Sequence, residues 1–95
     1  MKAADMLTML SIEVFDTKPT GIYFRNNAKL QAFTGIREDT KRNLLLYRED
    51  KKPNLLMKDF FATLMKNKQS QVLYWHGGTS QEIYGISMEN KKIIV

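Results

Sequence analysis

Apolar residues recur at helical spacing in two places. Met57, Phe60, Phe61, Leu64 and Met65 follow the i, i+3, i+4, i+7, i+8 order that puts them on one stripe of an α-helix, while Lys58, Asp59, Thr63 and Lys66 fall elsewhere. Asn54, just after Pro53, is placed to cap that helix, because its side-chain oxygen can accept from a free first-turn N–H. Ala3, Met6, Leu7 and Leu10 repeat the pattern at the constant spacing that takes Ala3 to Met57 and Leu10 to Leu64. The stripe continues at Val14, so a first helix is expected from near Lys2 to about Phe15, followed by a turn over Asp16–Gly21.

Between the helical segments the pattern changes to short β-rich runs. First strands are predicted at Gly21–Arg25 and Gln71–Trp75, second strands at Leu30–Ile36 and Glu82–Met88, and third strands at Asn43–Arg48 and Lys92–Val95. Asn26-Asn27 and His76-Gly77-Gly78 have the composition of tight turns with positive φ. Gln31, Gly35, Ile36 and Lys41 recur as Gln81, Gly85, Ile86 and Lys91, and Glu49 to Pro53 reads as an exposed connector. The expected architecture is therefore α+β: a tandem pseudo-twofold repeat of helix-strand-strand-strand units, residues 1–50 and 51–95. Two units this small are expected to share one core, as a single compact domain whose antiparallel sheet is covered by two helices.

Composition narrows the chemistry. With 43% apolar and 26% charged residues the chain has the profile of a folded globular protein, and no apolar run approaches membrane-spanning length. The N-terminus lacks a signal-peptide core, so a cytoplasmic location is expected, with no membrane partner. There are no cysteines and His76 is the only histidine, so neither a thiol nucleophile nor a cysteine-ligated metal is available, and no metal site is expected. His76 is read as a water-exposed turn histidine, and Ser80 near it lacks an orienting acid. Gly77-Gly78-Thr79-Ser80 lacks the lysine and following helix of a phosphate loop. No catalytic residue, cofactor or small-molecule ligand is inferred, and the expectation is that the protein is not an enzyme.

The net charge of +5 is uneven: residues 1–50 carry eight Lys/Arg against seven Asp/Glu, residues 51–95 seven lysines against three acids. Alternation along the first strands of the two halves sends Tyr23 and Arg25, and likewise Leu73 and Trp75, to the face opposite Ile22, Phe24, Val72 and Tyr74. Whichever face the helices cover, the other carries large groups. Tyr23, Arg25, Leu73 and Trp75 are accordingly the candidate partner-binding residues of an interaction module, an adaptor or inhibitor that binds another protein through its sheet surface or an edge strand. The alternative is a nucleic-acid binder in which Tyr23, Trp75 and Tyr84 stack on bases while Arg25, Lys91 and Lys92 neutralise phosphates. A second alternative is an obligate homodimer that uses the free sheet face as its subunit interface.

Overall fold

The computed structural model describes residues 1–13 and 18–95. The expected continuation of the first helix through Val14 and Phe15, and most of the turn after it, lie outside the described residues. The elements are α1 (Ala3–Glu13), β1 (Gly21–Asn26), β2 (Lys29–Ala32), β3 (Gly35–Glu38), β4 (Leu44–Tyr47), α2 (Met57–Lys66), β5 (Val72–His76), β6 (Thr79–Glu82), β7 (Ser87–Glu89) and β8 (Lys92–Ile94). They form an α+β domain with two helices and two four-stranded sheets.

Both helices put their stripe inward. Ala3, Met6 and Leu10 of α1 and Phe60 and Leu64 of α2 are buried, and the two helices pack against each other. Neither helix has a side-chain cap at its N-terminus. The first N–H groups of α1 donate to the carbonyls of Ser70 and Lys68 at 2.8 and 2.9 Å, so the chain leaving α2 satisfies groups that would otherwise be orphaned. At α2 the N-cap is Leu56, in extended conformation and with no side-chain hydrogen bond, so Asn54 lies two residues too early to cap it. Met65, expected on the buried stripe, is 61% exposed, because the stripe closes on Leu64 at the end of a helix of only 10 residues.

The expectation of one antiparallel sheet is overturned. The first sheet has the order β2-β1-β8-β7 and the second β3-β4-β5-β6, each mixed, with a parallel pair at its centre and antiparallel hairpins outside. Each predicted second strand is in fact two short strands in different sheets: Leu30–Ile36 breaks at Phe33-Thr34, and Glu82–Met88 breaks over residues 83–86. Antiparallel hairpins need only tight turns, whereas the parallel pair β4 and β5 requires the crossover that α2 supplies. Three of the hairpin turns hold two positive-φ residues each: Asn27 and Ala28 at 51° and 69°, Gly77 and Gly78 at 64° and 79°, Asn90 and Lys91 at 49° and 64°. That is the geometry whose twist matches the flanking strands.

The core is continuous across all of these elements. Ile22, Phe24 and Ile93 from the first sheet join Leu44, Leu46 and Val72 from the second and the helix residues in one buried cluster. The Cα radius of gyration, 12.3 Å, is about that of a single compact chain of this length. No helix among the described residues is long and apolar enough to cross a membrane.

Two outcomes follow from this arrangement. Phe60→Ala is expected to cost about 3–5 kcal/mol by chemical denaturation, whereas Met65→Ala should leave the unfolding midpoint nearly unchanged; equal losses would place the helix face elsewhere. Because residues 1–50 contribute only β1-β2 to one sheet and β3-β4 to the other, fragments 1–50 and 51–95 are each expected to lack a cooperative melt by circular dichroism and to regain one on mixing. Two fragments that melt cooperatively on their own would contradict it.

Candidate functional site

The outward face of the second sheet is built by alternation. Leu44 and Leu46 of β4 and Val72 of β5 point to the core, so Leu45, Tyr47, Leu73 and Trp75 point away from it. Register then sets the rows: Arg37, Leu45, Leu73 and Glu82 are successive cross-strand partners, and Trp75 lies opposite Ser80. Leu45 is only 5% exposed although it faces outward, and Trp75 beside it is 47% exposed. Leu45 is thus the floor of the surface and Trp75 the wall above it.

Two concavities meet at this wall. One, of about 470 Å³, is lined by Arg37, Leu45 and Trp75 together with Glu38, Asp39, Thr40 and Ser80. The other, of about 280 Å³, is lined by the same three residues with Tyr47, Arg48 and Glu49. Gly35 is essential to the second. Tyr47, its cross-strand partner, lays its ring over the glycine, and a Cβ there would overlap the ring. The Arg37 guanidinium lies over the exposed side of that ring, 5.5 Å from its centroid.

The edges of the surface are held by polar contacts. Asp39 Oδ1 accepts from the backbone N–H groups of Lys41 and Asn43 at 2.8 and 2.9 Å, and the Asp39 N–H donates to the Asn43 carbonyl, which ties the β3–β4 loop through Arg42 at a φ of 61°. The Asn43 N–H above all, against an opposing effect of burial and with a further, smaller part from the Lys41 N–H, holds the Asp39 carboxyl below its ordinary range. Arg48 donates to the Ala32 carbonyl at 2.7 Å and lies 4.0 Å from Asp50, so its charge is engaged on the first sheet's side.

The four residues expected to form one face stand on two sheets. Tyr23 and Arg25 are on the first sheet, Leu73 and Trp75 on the second, because each half contributes its first hairpin to a different sheet. Tyr23 covers Gly21 and has the Lys92 Nζ 5.2 Å from its ring centroid, while Arg25 donates to Glu89 at 2.8 Å. Of the remaining residues named for nucleic acid, Tyr84 is 89% exposed between β6 and β7, and Lys91 is an exposed residue of the β7–β8 turn. Hydrogen bonding to Glu82 first and its charge second raise the Tyr84 phenol above its ordinary range. Arg37, Leu45 and Tyr47 were not singled out by the sequence. The signal was present in the alternation of Leu44 to Tyr47, which leaves Leu45 and Tyr47 on the same face as Trp75 once β4 and β5 are neighbours.

His76 is not the water-exposed turn residue expected. It ends β5 half-buried, its ring 5.1 Å from that of Phe24. Ser80 pairs with Trp75 while His76 pairs with Thr79, so the serine and histidine side chains leave opposite faces of the sheet. Among the described residues no group of three or more His, Asp or Glu side chains converges on a point. A larger hollow of about 620 Å³ lies between the β3–β4 loop and the chain after α2, where Arg42, Lys66 and Lys68 stand with Glu38. It is shallow and polar, with no aromatic residue in its lining. No family model matches the chain, and neither the curated proteins nor the solved structures include a significant match to it.

Asp39 supplies a pH-dependent outcome. Its folded carboxyl is more acidic than in the unfolded chain, so its contribution to stability is complete above the ordinary aspartate range and is lost as pH falls through the folded value. Asp39→Ala is expected to lower the melting temperature at neutral pH and to differ less from the parent as pH drops below that range, as read from paired thermal melts. A difference that grows on acidification would contradict this assignment.

Proposed function

We propose that this protein is a non-catalytic interaction module that binds another protein through the outer face of its second sheet, centred on Trp75. The observation that carries this reading is a tryptophan 47% exposed in the middle of a sheet, above a leucine floor and between two concavities. Tryptophan and tyrosine beside arginine, around an apolar floor, are the residue types that anchor protein interfaces. Leaving so large a ring in water has no folding benefit, since its burial would stabilise the chain. The first sheet's outer face supports a lesser role, because Arg25 is matched to Glu89 and Lys92 sits against Tyr23. The same engagement weakens the nucleic-acid reading, whose cations they are. A cytoplasmic setting and a homodimer built on the Trp75 face are compatible forms of the proposal, the second being one outcome of its test.

We also propose that residues 1–50 and 51–95 are repeats related by a pseudo-twofold axis, each giving one hairpin to either sheet. Tyr23 pairs with Ala32 as Leu73 pairs with Glu82, and Asn26 with Lys29 as His76 with Thr79, at one constant spacing. The parallel pairs correspond as well, Ile22 with Ile93 and Val72 with Leu44, with the third strand one residue short of that spacing.

The test uses Trp75 itself. Trp75→Ala is expected to keep a cooperative melt while removing roughly 2 kcal/mol or more of binding energy. A photo-crosslinking amino acid at position 75 should yield one discrete protein adduct in native lysate, absent when it stands at Lys29 on the other sheet; an adduct of twice the chain mass identifies a homodimer. Loss of the folded state in Trp75→Ala would put the ring in the core and remove the reading.

A further inference from the structure

We infer that the concavity between Trp75 and Tyr47 selects a partner segment that presents an aromatic or long apolar side chain next to a carboxylate, with Arg37 as the residue that reads the carboxylate. The inference rests on the proposed Trp75 interface and specifies what it binds.

The argument starts from charge. Among the described residues, the ion pairs are Arg25 with Glu89 and Arg48 with Asp50. Arg37 is in neither, and no hydrogen bond of its guanidinium to a described residue is present. It stands over the Tyr47 ring, which stabilises a cation without using its N–H donors. Five donors in a planar fork therefore face a concavity with an apolar floor, and a fork of that shape fits a carboxylate through two parallel hydrogen bonds. Glu49 lines this cavity with Arg37 but forms no ion pair with it. Glu38 and Asp39 line the neighbouring cavity; Glu38 follows Arg37 in the strand, so alternation roots its side chain on the other face, and Asp39 spends Oδ1 on the loop it closes. None of the three acids is ion-paired with Arg37.

Size and shape set the rest of the ligand. About 280 Å³ admits one aromatic ring or a branched aliphatic group, and Trp75, Tyr47 and Leu45 line the space that would receive it. The Tyr47 ring is fixed over Gly35, so the site is preformed. A net charge of +5 would steer an acidic partner toward the protein before contact.

The test uses phenylacetate and phenylacetamide, which have the same ring and differ in the charge of the head group. Trp75 is the only tryptophan, so its indole N–H gives one unambiguous signal in nitrogen-15 spectra of the full chain. Both compounds should shift that signal, with phenylacetate binding about tenfold tighter at low salt and its advantage shrinking as salt rises. Arg37→Gln should abolish the difference while leaving the amide's effect intact. Equal affinities of acid and amide in the parent protein would overturn the assignment of Arg37 and leave the Trp75 interface standing. Absence of any indole shift with either compound would overturn the pocket. The parent-protein comparison requires no variant, so it holds however Arg37→Gln folds.

Discussion

Phe33 is the residue on which the two-sheet arrangement depends. Its N–H donates to the Ile22 carbonyl in the first sheet at 2.8 Å, and one residue later the Thr34 N–H donates to the Tyr47 carbonyl in the second at 2.9 Å. Its own carbonyl accepts from Leu55 at 3.0 Å, on the approach to α2. The fully buried ring stacks on Phe24 at 4.8 Å and meets Tyr74 edge-on at 5.9 Å. A chain that crosses from one sheet to another exposes a break in its hydrogen-bond ladder, and burying that break requires every polar group at it to be satisfied. Phe33-Thr34 meets the requirement, and the ring fills the space that opens between the sheets. With the crossing fixed there, β3 and β4 must join β5 and β6, and the outer surface around Trp75 is assembled from both halves of the chain.

That crossing also explains what was legible in the sequence and what was not. The stripes of both helices and the first and third strands were visible because they are local, and the tight turns were placed to within a residue, at 27–28 and 77–78 where Asn26-Asn27 and His76-Gly77-Gly78 were expected. The run from Leu30 to Ile36 reads as one strand because Leu30, Phe33, Thr34 and Ile36 suit a pleated surface, and Gly35, though it weakens the run, does not mark that Ala32 belongs to one ladder and Gly35 to another. Strand propensity reports that a residue fits a pleated surface, not which surface. The helix cap failed for a similar reason. Asn54 has the right side chain, yet α2 starts at Met57 behind an extended Leu56, two residues beyond its reach, without a side-chain cap.

The candidate site was half legible. Alternation identified Leu73 and Trp75 as outward, and it could not say that Arg37, Leu45 and Tyr47 would stand beside them, because that adjacency comes from the parallel pairing of β4 with β5 across α2. The same pairing separates Tyr23 and Arg25 from the site and gives them neighbours of their own, Lys92 and Glu89.

The contrast between the two sheets argues about function from within the molecule. Arg25 and Trp75 occupy matching positions, each in the third pair of its hairpin register, opposite Leu30 and Ser80. At one position the side chain is charged and its charge is matched by Glu89 at 2.8 Å, which suits a surface that stays in water. At the other it is an indole flanked by an arginine with no carboxylate partner among the described residues, and its cross-strand neighbour Ser80 is too small to cover it. Exposed apolar area and an unmatched cation are each common alone on a protein surface. Together, around a shared hollow, they are the ground for the proposed partner, one that would cover the ring and supply a negative charge.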